Sequence, residues 1–197
     1  MTIKDFYSKY NKEDAWFFLQ REPAKTIVVN AKQLIVKDNM NHLTYGQFVA
    51  LTDLIENENT CFDLIRAFIL VFHWEELTDK VFSTSDYKDK LSLIDNAEAL
   101  LIYPVARKYR KIIMKRLSIH LKVLNYKGKT EYKQAGIDKF NKFGMYNACR
   151  AVGVALGFDP DIVATWNYHK VFIELSYQKT ENEFQERLHT IMSKKSD

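Results

Sequence analysis

The chain has 197 residues, 47% of them hydrophobic, and its 29 Lys and Arg against 25 Asp and Glu leave a formal charge of +4. That is enough material for one sizeable core and too little for two independent ones, so one domain with a small appendage is expected. Six Gly and three Pro, at 23, 104 and 160, argue against long linkers and low-complexity segments.

No apolar run reaches the ~18 residues that a membrane-spanning helix needs. The opening residues MTIKDFYSKYNKED mix both charge signs, so neither a membrane span nor a secretory leader is expected. Cys61 and Cys149 sit in apolar helical patterns and read as buried free thiols of a reducing compartment, with a disulfide or redox pair as the alternative.

In chain order, Ile3 to Tyr10 and Lys12 to Leu19 read as two short helices separated by a cap at Asn11. Their aromatics, among them Phe6, Tyr7, Tyr10, Trp16 and Phe17, are too many for exposed turns and should dock on a larger body or on a neighbouring chain. TIVVNAKQLIV, 26 to 36, is β-branched in its first half and predicts a small hairpin or extended strap.

LTYGQFVALTDLIE, 43 to 56, opens a helix with a capping box of Thr44 and Gln47, flanked by Leu43 and Phe48 as a hydrophobic staple. A second helix from Thr60 to Leu77 is apolar around most of its circumference and belongs at the centre of a bundle. Ser85 or Asp86 should cap a helix toward Leu91, Ile94 and Ala97. From Glu98 a long amphipathic helix runs to Leu124, with Pro104 either kinking it or marking a new first turn.

NYKGK, 125 to 129, is a turn, followed by helices at 130–143 and 145–156, the second stopped by Gly157. Asp159 caps the next helix with Pro160 in its first position, and Ile162, Trp166, His169, Ile173 and Tyr177 should share one face. Thr180 and Glu183 suggest a second capping box for a last helix carrying Phe184, Leu188 and Ile191. The expected fold is all-α, a compact bundle of about six to eight helices, with residues 1–40 as an aromatic-rich extension and 41–197 as the helical domain.

The residues offer little that converges on chemistry. GKTEYKQAG lacks the glycine scaffold of a phosphate-binding loop. No Cys-x-x-Cys or His-Glu-x-x-His is present for zinc, and His73 with Glu76 reads as a polar cluster at a helix end. His120, His169 and His189 have no nucleophile spacing that would make them catalytic. Asp159 and Asp161 bracket a helix start, where capping explains them. No catalytic, cofactor or metal residue is therefore assigned.

Charge is unevenly spread. Acids outnumber bases eleven to four between Met40 and Tyr103, whereas 107–133 holds ten bases and the single acid Glu131. Lys108, Lys111, Lys115 and Lys122 can line one helical face, as a solvated surface, a protein contact, or a contact to phosphates that would not read bases. Trp166 joins the aromatics as a residue of either core or interface.

Taken together, LTYGQFVALTDLIE with CFDLIRAFILVFHW, and GFDPDIVATWNYHKVFIELSYQKTENEFQERL, resemble small helical structural proteins of tailed bacteriophages. The likeness is to ring, connector and tail-assembly proteins of the crAss-like group that infects gut Bacteroidetes. Gly46-Gln47-Phe48 and residues 158 to 177 carry it. The resemblance implies helical subunits arranged in rings between portal and tail, with no catalytic residues or cofactor, assembled in the host cytoplasm and retained in the virion. Implied partners are ring neighbours and other head–tail proteins; no membrane is expected, and any DNA nearby would be met without sequence reading. The aromatic extension and the strap depart from a simple connector and keep a transient tail-assembly chaperone or adaptor open. A nucleic-acid-binding regulator using 107–133 is the remaining alternative.

Overall fold

The capping box written into the sequence at Thr44 forms. The Thr44 backbone N–H donates to Gln47 Oε1 at 2.8 Å and the Gln47 N–H donates to Thr44 Oγ1 at 3.2 Å, so two otherwise orphaned amides are satisfied reciprocally. Leu43 and Phe48 on either side are both buried. In the computed structural model, residues 1–9, 21–57, 61–124, 139 and 143–194 are described.

Among them, helices α1 (Ile3–Lys9), α2 (Tyr45–Asn57), α3 (Cys61–Phe72), α4 (Trp74–Thr78), α5 (Ala99–Leu124), α6 (Met145–Leu156), α7 (Pro160–Ala164) and α8 (Tyr168–Ser193) dominate. A 3-10 helix, Lys88–Ile94, and one antiparallel hairpin, β1 (Thr26–Val29) with β2 (Lys32–Ile35), complete the set. The architecture is an all-α bundle with a small two-stranded sheet. Among the described residues the eight α-helices and the 3-10 helix make nine, one above the expected range, and α4 is the short helix that splits off from the element expected to run to Leu77.

The hairpin pairs Thr26 with Ile35 and Val29 with Lys32. Its two-residue turn places Asn30 and Ala31 at φ of 48° and 62°, the left-handed geometry that matches the twist of paired strands. Ile27, Val29 and Leu34 face inward and are buried, while Val28 and Ile35 face out. α1 is tied down by backbone bonds from Ile3 to Ala97 (2.9 Å) and from Lys4 to Asp95 (3.2 Å). Phe6 is thereby inserted into the core, its ring centroid 5.1 Å from that of Tyr103.

α3 is the central helix. Ile65 and the run from Ala67 to Phe72 are buried, and it packs on α5, the 3-10 helix and α2. Arg66 leaves this apolar cylinder on one side to bind Asp63 and, at 2.9 Å, Asp95. The helix expected through Leu77 is interrupted at His73, and α4 begins afresh at Trp74. The interruption is stable because side chains answer the last carbonyls of α3: Gln47 Nε2 donates to Val71 O at 2.9 Å, and His42 Nε2 lies 3.1 Å from Phe72 O.

Three further expectations are corrected. Neither Ser85 nor Asp86 caps the 3-10 helix; Ser85 Oγ instead donates to the Asp86 carboxylate. Pro104 does not mark a new first turn: α5 begins at Ala99 and runs through Pro104, which is buried in its second turn. Thr180 and Glu183 do not cap a new helix, because α8 is continuous over 26 residues. Thr180 Oγ1 donates backward to Ser176 O, and Glu183 pairs with Lys179 and Arg187.

The caps at Gly157 and Asp159 hold. Gly157 adopts φ 76° after α6, and Asp159 accepts from the Asp161 N–H with Pro160 opening α7. Within α6, Gly153 is required by close approach, since a Cβ there would stand 2.4 Å from the Phe158 carbonyl oxygen. The elements read at 12–19, 125–129 and 130–142 lie outside the described residues, apart from residue 139. No helix among the described residues is long and apolar enough to cross a membrane.

Gln47→Ala removes one half of the capping box and leaves the Val71 carbonyl buried without its donor. It should destabilise the fold by about 1–3 kcal/mol, read as a lower urea midpoint with an unchanged slope. A midpoint equal to that of the parent chain would contradict the role given to this side chain.

Candidate functional site

Three places in the fold gather the residues that sequence reasoning singled out. The first is the polar end of α3. His73 Nδ1 is hydrogen-bonded to Glu76 Oε2, and His73 Nε2 lies 2.8 Å from the Tyr109 hydroxyl. Lys37 closes the circuit, its Nζ donating to Glu76 Oε1 at 2.7 Å and its backbone N–H donating to the Tyr109 oxygen at 3.1 Å.

The arrangement that leaves every polar atom of this circuit with a partner is the following. The Tyr109 oxygen already accepts from Lys37, so its own proton goes to His73 Nε2, and the imidazole is neutral with its proton on Nδ1, facing the Glu76 carboxylate. Burial lowers the His73 pKa from its ordinary 6.5, opposed by the bond to Glu76, so the neutral form is favoured in the fold. Tyr109 is fully buried and stacks on Phe72 at 3.9 Å, so its phenol is pushed well above the usual tyrosine range and presents no face to a substrate. The arrangement ties the hairpin exit, α4 and α5 together. The HWEE spacing made His73 and Glu76 legible as a helix-end cluster; Lys37 and Tyr109 come from distant segments and left no signal in the sequence.

The second place is the basic face of α5. Lys108 is turned back onto the body and binds Asp38, whose carboxyl is held below the ordinary carboxylate range by that bond. Lys111, Lys115 and Lys122 are exposed on the same side of the helix. Arg116 belongs elsewhere, 5.7 Å from the ring centre of Tyr168. Of the N-terminal aromatics, Phe6 takes the core alternative; Tyr10, Trp16 and Phe17 lie outside the described residues, and Tyr7 is described only through its helical backbone. Trp166 is half-buried, with Phe158 edge-on at 5.0 Å and the Lys170 ammonium 3.5 Å from its ring centre.

The third place is the C-terminal half. Ile162, Trp166, His169, Ile173 and Tyr177 do not share one buried face, because the chain leaves helical geometry between α7 and α8. The inward residues are instead Val163, Tyr168 and Val171. Ile173, Tyr177, Phe184, Leu188 and Ile191 all face solvent. α8 is held to the body at its start, where Asn167 caps it, and along its length by Lys179 Nζ, which donates to Val123 O at 2.7 Å in the last turn of α5. Between α2, α5, α6 and α8 lies an open cavity of about 290 Å³, bordered by Tyr45, His120, Leu124, Leu175 and Gln178.

Among the described residues no group of three or more His, Cys, Asp or Glu converges as a metal site. Cys149 is a buried free thiol, and burial raises its pKa to about 11. Comparisons of the chain with protein-family models, with characterised proteins and with solved structures found no match.

The neutral His73 predicts a pH dependence. Its pKa is lower in the fold than in the unfolded chain, so the unfolded chain takes up the proton first on acidification. Stability contributed here is complete above the unfolded value near 6.5 and declines as pH falls below it. His120 and His169 are shifted in the same direction by burial. Urea midpoints measured from pH 8 to pH 5 should fall, and His73→Gln should lower the midpoint at pH 8 while flattening the decline. An unchanged pH profile in that variant would contradict the assigned protonation state.

Proposed function

We propose that the chain is a structural subunit of a tailed-phage particle, a ring or connector component joining head and tail, which works through contacts with other chains and not through a reaction. One observation carries this reading. The core is built almost wholly before Ile113, and after it only Cys149, Val152, Val163, Tyr168 and Val171 are buried hydrophobics among the described residues. Over the same C-terminal stretch Met114, Leu121, Val154, Ile173, Tyr177 and Phe184 are among the large apolar side chains left exposed. Exposed apolar surface concentrated on one half of a chain marks a surface completed by other molecules.

The phage assignment adds the resemblance of residues 43–56 and 158–177 to ring and connector proteins. In a cyclic assembly one heterologous contact repeats until it closes, and a subunit with one self-sufficient half and one open half suits that geometry. A tail-assembly chaperone or adaptor would use the same open half without being incorporated.

Mass spectrometry of purified particles should find the chain in stoichiometric, multi-copy amounts. Absence from mature particles together with co-purification of a tail component from infected cells would replace the connector reading with the chaperone one.

The exposed Lys111, Lys115 and Lys122 favour a second reading, a contact to nucleic-acid phosphates. Binding to duplex DNA that weakens with salt, and weakens further when these three are changed to Gln, would support it. No binding at low salt would dismiss it.

A further inference from the structure

We infer that the outer face of α8 is an interface with a second copy of this chain, in which the two α8 helices lie side by side and antiparallel. The inference rests on the contact-based reading above only in that the C-terminal half meets other chains; the α8 contact is two-fold and isologous, separate from the heterologous contact that closes a ring, and it is tested on the isolated chain without particles.

α8 has two apolar sides. At 3.6 residues per turn, Tyr168, Val171, Leu175 and Gln178 fall on one side, and these are buried or half-buried against the body. Ile173, Tyr177, Thr180, Phe184, Leu188 and Ile191 fall within an arc of roughly 80° on the opposite side. Ile173 and Tyr177 are each 62% exposed and Phe184 is 59% exposed. Single exposed hydrophobics need no explanation, but this is an aligned stripe. Its apolar side chains expose on the order of 600 Å², below the ~800 Å² that each partner contributes to a standard interface and in the range of a weak, concentration-dependent one.

The stripe calls for a helical occupant by its spacing and suits a second copy by its near-symmetry. Its steps along the chain are 4, 3, 4, 4 and 3 residues, the spacing of a helix packed on a helix. Read backward the order is almost the same, with its centre near Asn182. An antiparallel second copy therefore sets Ile173 against Ile191 of the second copy, Tyr177 against Leu188, and the small Thr180 against the large Phe184. A parallel pair would instead face Phe184 with Phe184 and Thr180 with Thr180, crowding one level and leaving the other hollow. Antiparallel pairing also sets the helix dipoles in opposition. A lipid surface is disfavoured because the flanks of the stripe carry both signs, Glu174, Glu181 and Glu183 alongside Lys170 and Arg187, with Arg187 paired to Glu183, where a membrane-binding helix carries Lys and Arg.

Mild oxidation of purified chains tests the geometry. The double variant Ile173→Cys with Ile191→Cys should yield a disulfide-linked dimer, whereas Ile173→Cys alone should not. Efficient cross-linking of Ile173→Cys alone would mean parallel pairing and would overturn the proposal. Phe184→Glu lies on an exposed position and should leave the circular dichroism of the monomer unchanged. In sedimentation equilibrium it should weaken dimerisation by on the order of 100-fold. A parent chain that stays monomeric up to about 1 mM, or one whose association is indifferent to Phe184→Glu, would overturn the proposal. So would binding to anionic phosphatidylserine vesicles that depends on Phe184 while the chain remains a monomer. None of these outcomes bears on whether the chain is found in particles.

Discussion

The fold depends on a junction where two helices begin side by side. The residues that start α2 and those that start α8 run antiparallel for one bridge, Thr44 with Asn167, closed by bonds from the Tyr45 N–H to Trp166 O at 2.8 Å and from the Tyr168 N–H to Leu43 O at 3.0 Å. At the same point Thr44 and Gln47 cap α2 and Asn167 caps α8. Gln47 reaches on to the end of α3. One cluster of short polar side chains thus satisfies two helix starts and one helix end, groups that would cost free energy if buried without partners.

That junction divides the labour of the chain. On one side, α1, the hairpin, α2, α3 and the first half of α5 bury their apolar faces against one another. On the other, the second half of α5 with α6, α7 and α8 is attached by a few residues, chiefly Tyr168, Val171, Val163 and Val152, and leaves most of its large side chains outside. Tyr168 is the hub of that attachment. Its ring lies 4.4 Å from Phe48, stacks on Phe172 at 5.8 Å, and its hydroxyl meets His120 Nδ1 at 3.2 Å.

Local chemistry was legible in the sequence, and long-range chemistry was not. The Thr44 and Gln47 box, the Gly157 stop, the Asp159-Pro160 start and the all-round apolar character of α3 each follow from residues within one or two turns, and each appears in the structure. The continuous face drawn from Ile162 to Tyr177 failed because Asn167 is itself a cap, competing for the backbone in a stretch whose apolar spacing alone would continue a helix. Thr180 and Glu183 have capping-box spacing but sit inside a helix already nucleated at Tyr168, where Thr180 bonds backward instead. The circuit from His73 to Tyr109 and Lys37 was invisible because its members are brought together by the tertiary fold.

In the function proposed above, the N-terminal half is complete by itself and the C-terminal helices are completed by other chains. Hydrogen–deuterium exchange at a series of protein concentrations tests it most directly. Amides of α3 should be strongly protected at every concentration, while protection of residues 173–191 should be weak in dilute solution and grow as the chain is concentrated. Equal, concentration-independent protection of α3 and of residues 173–191 would contradict it.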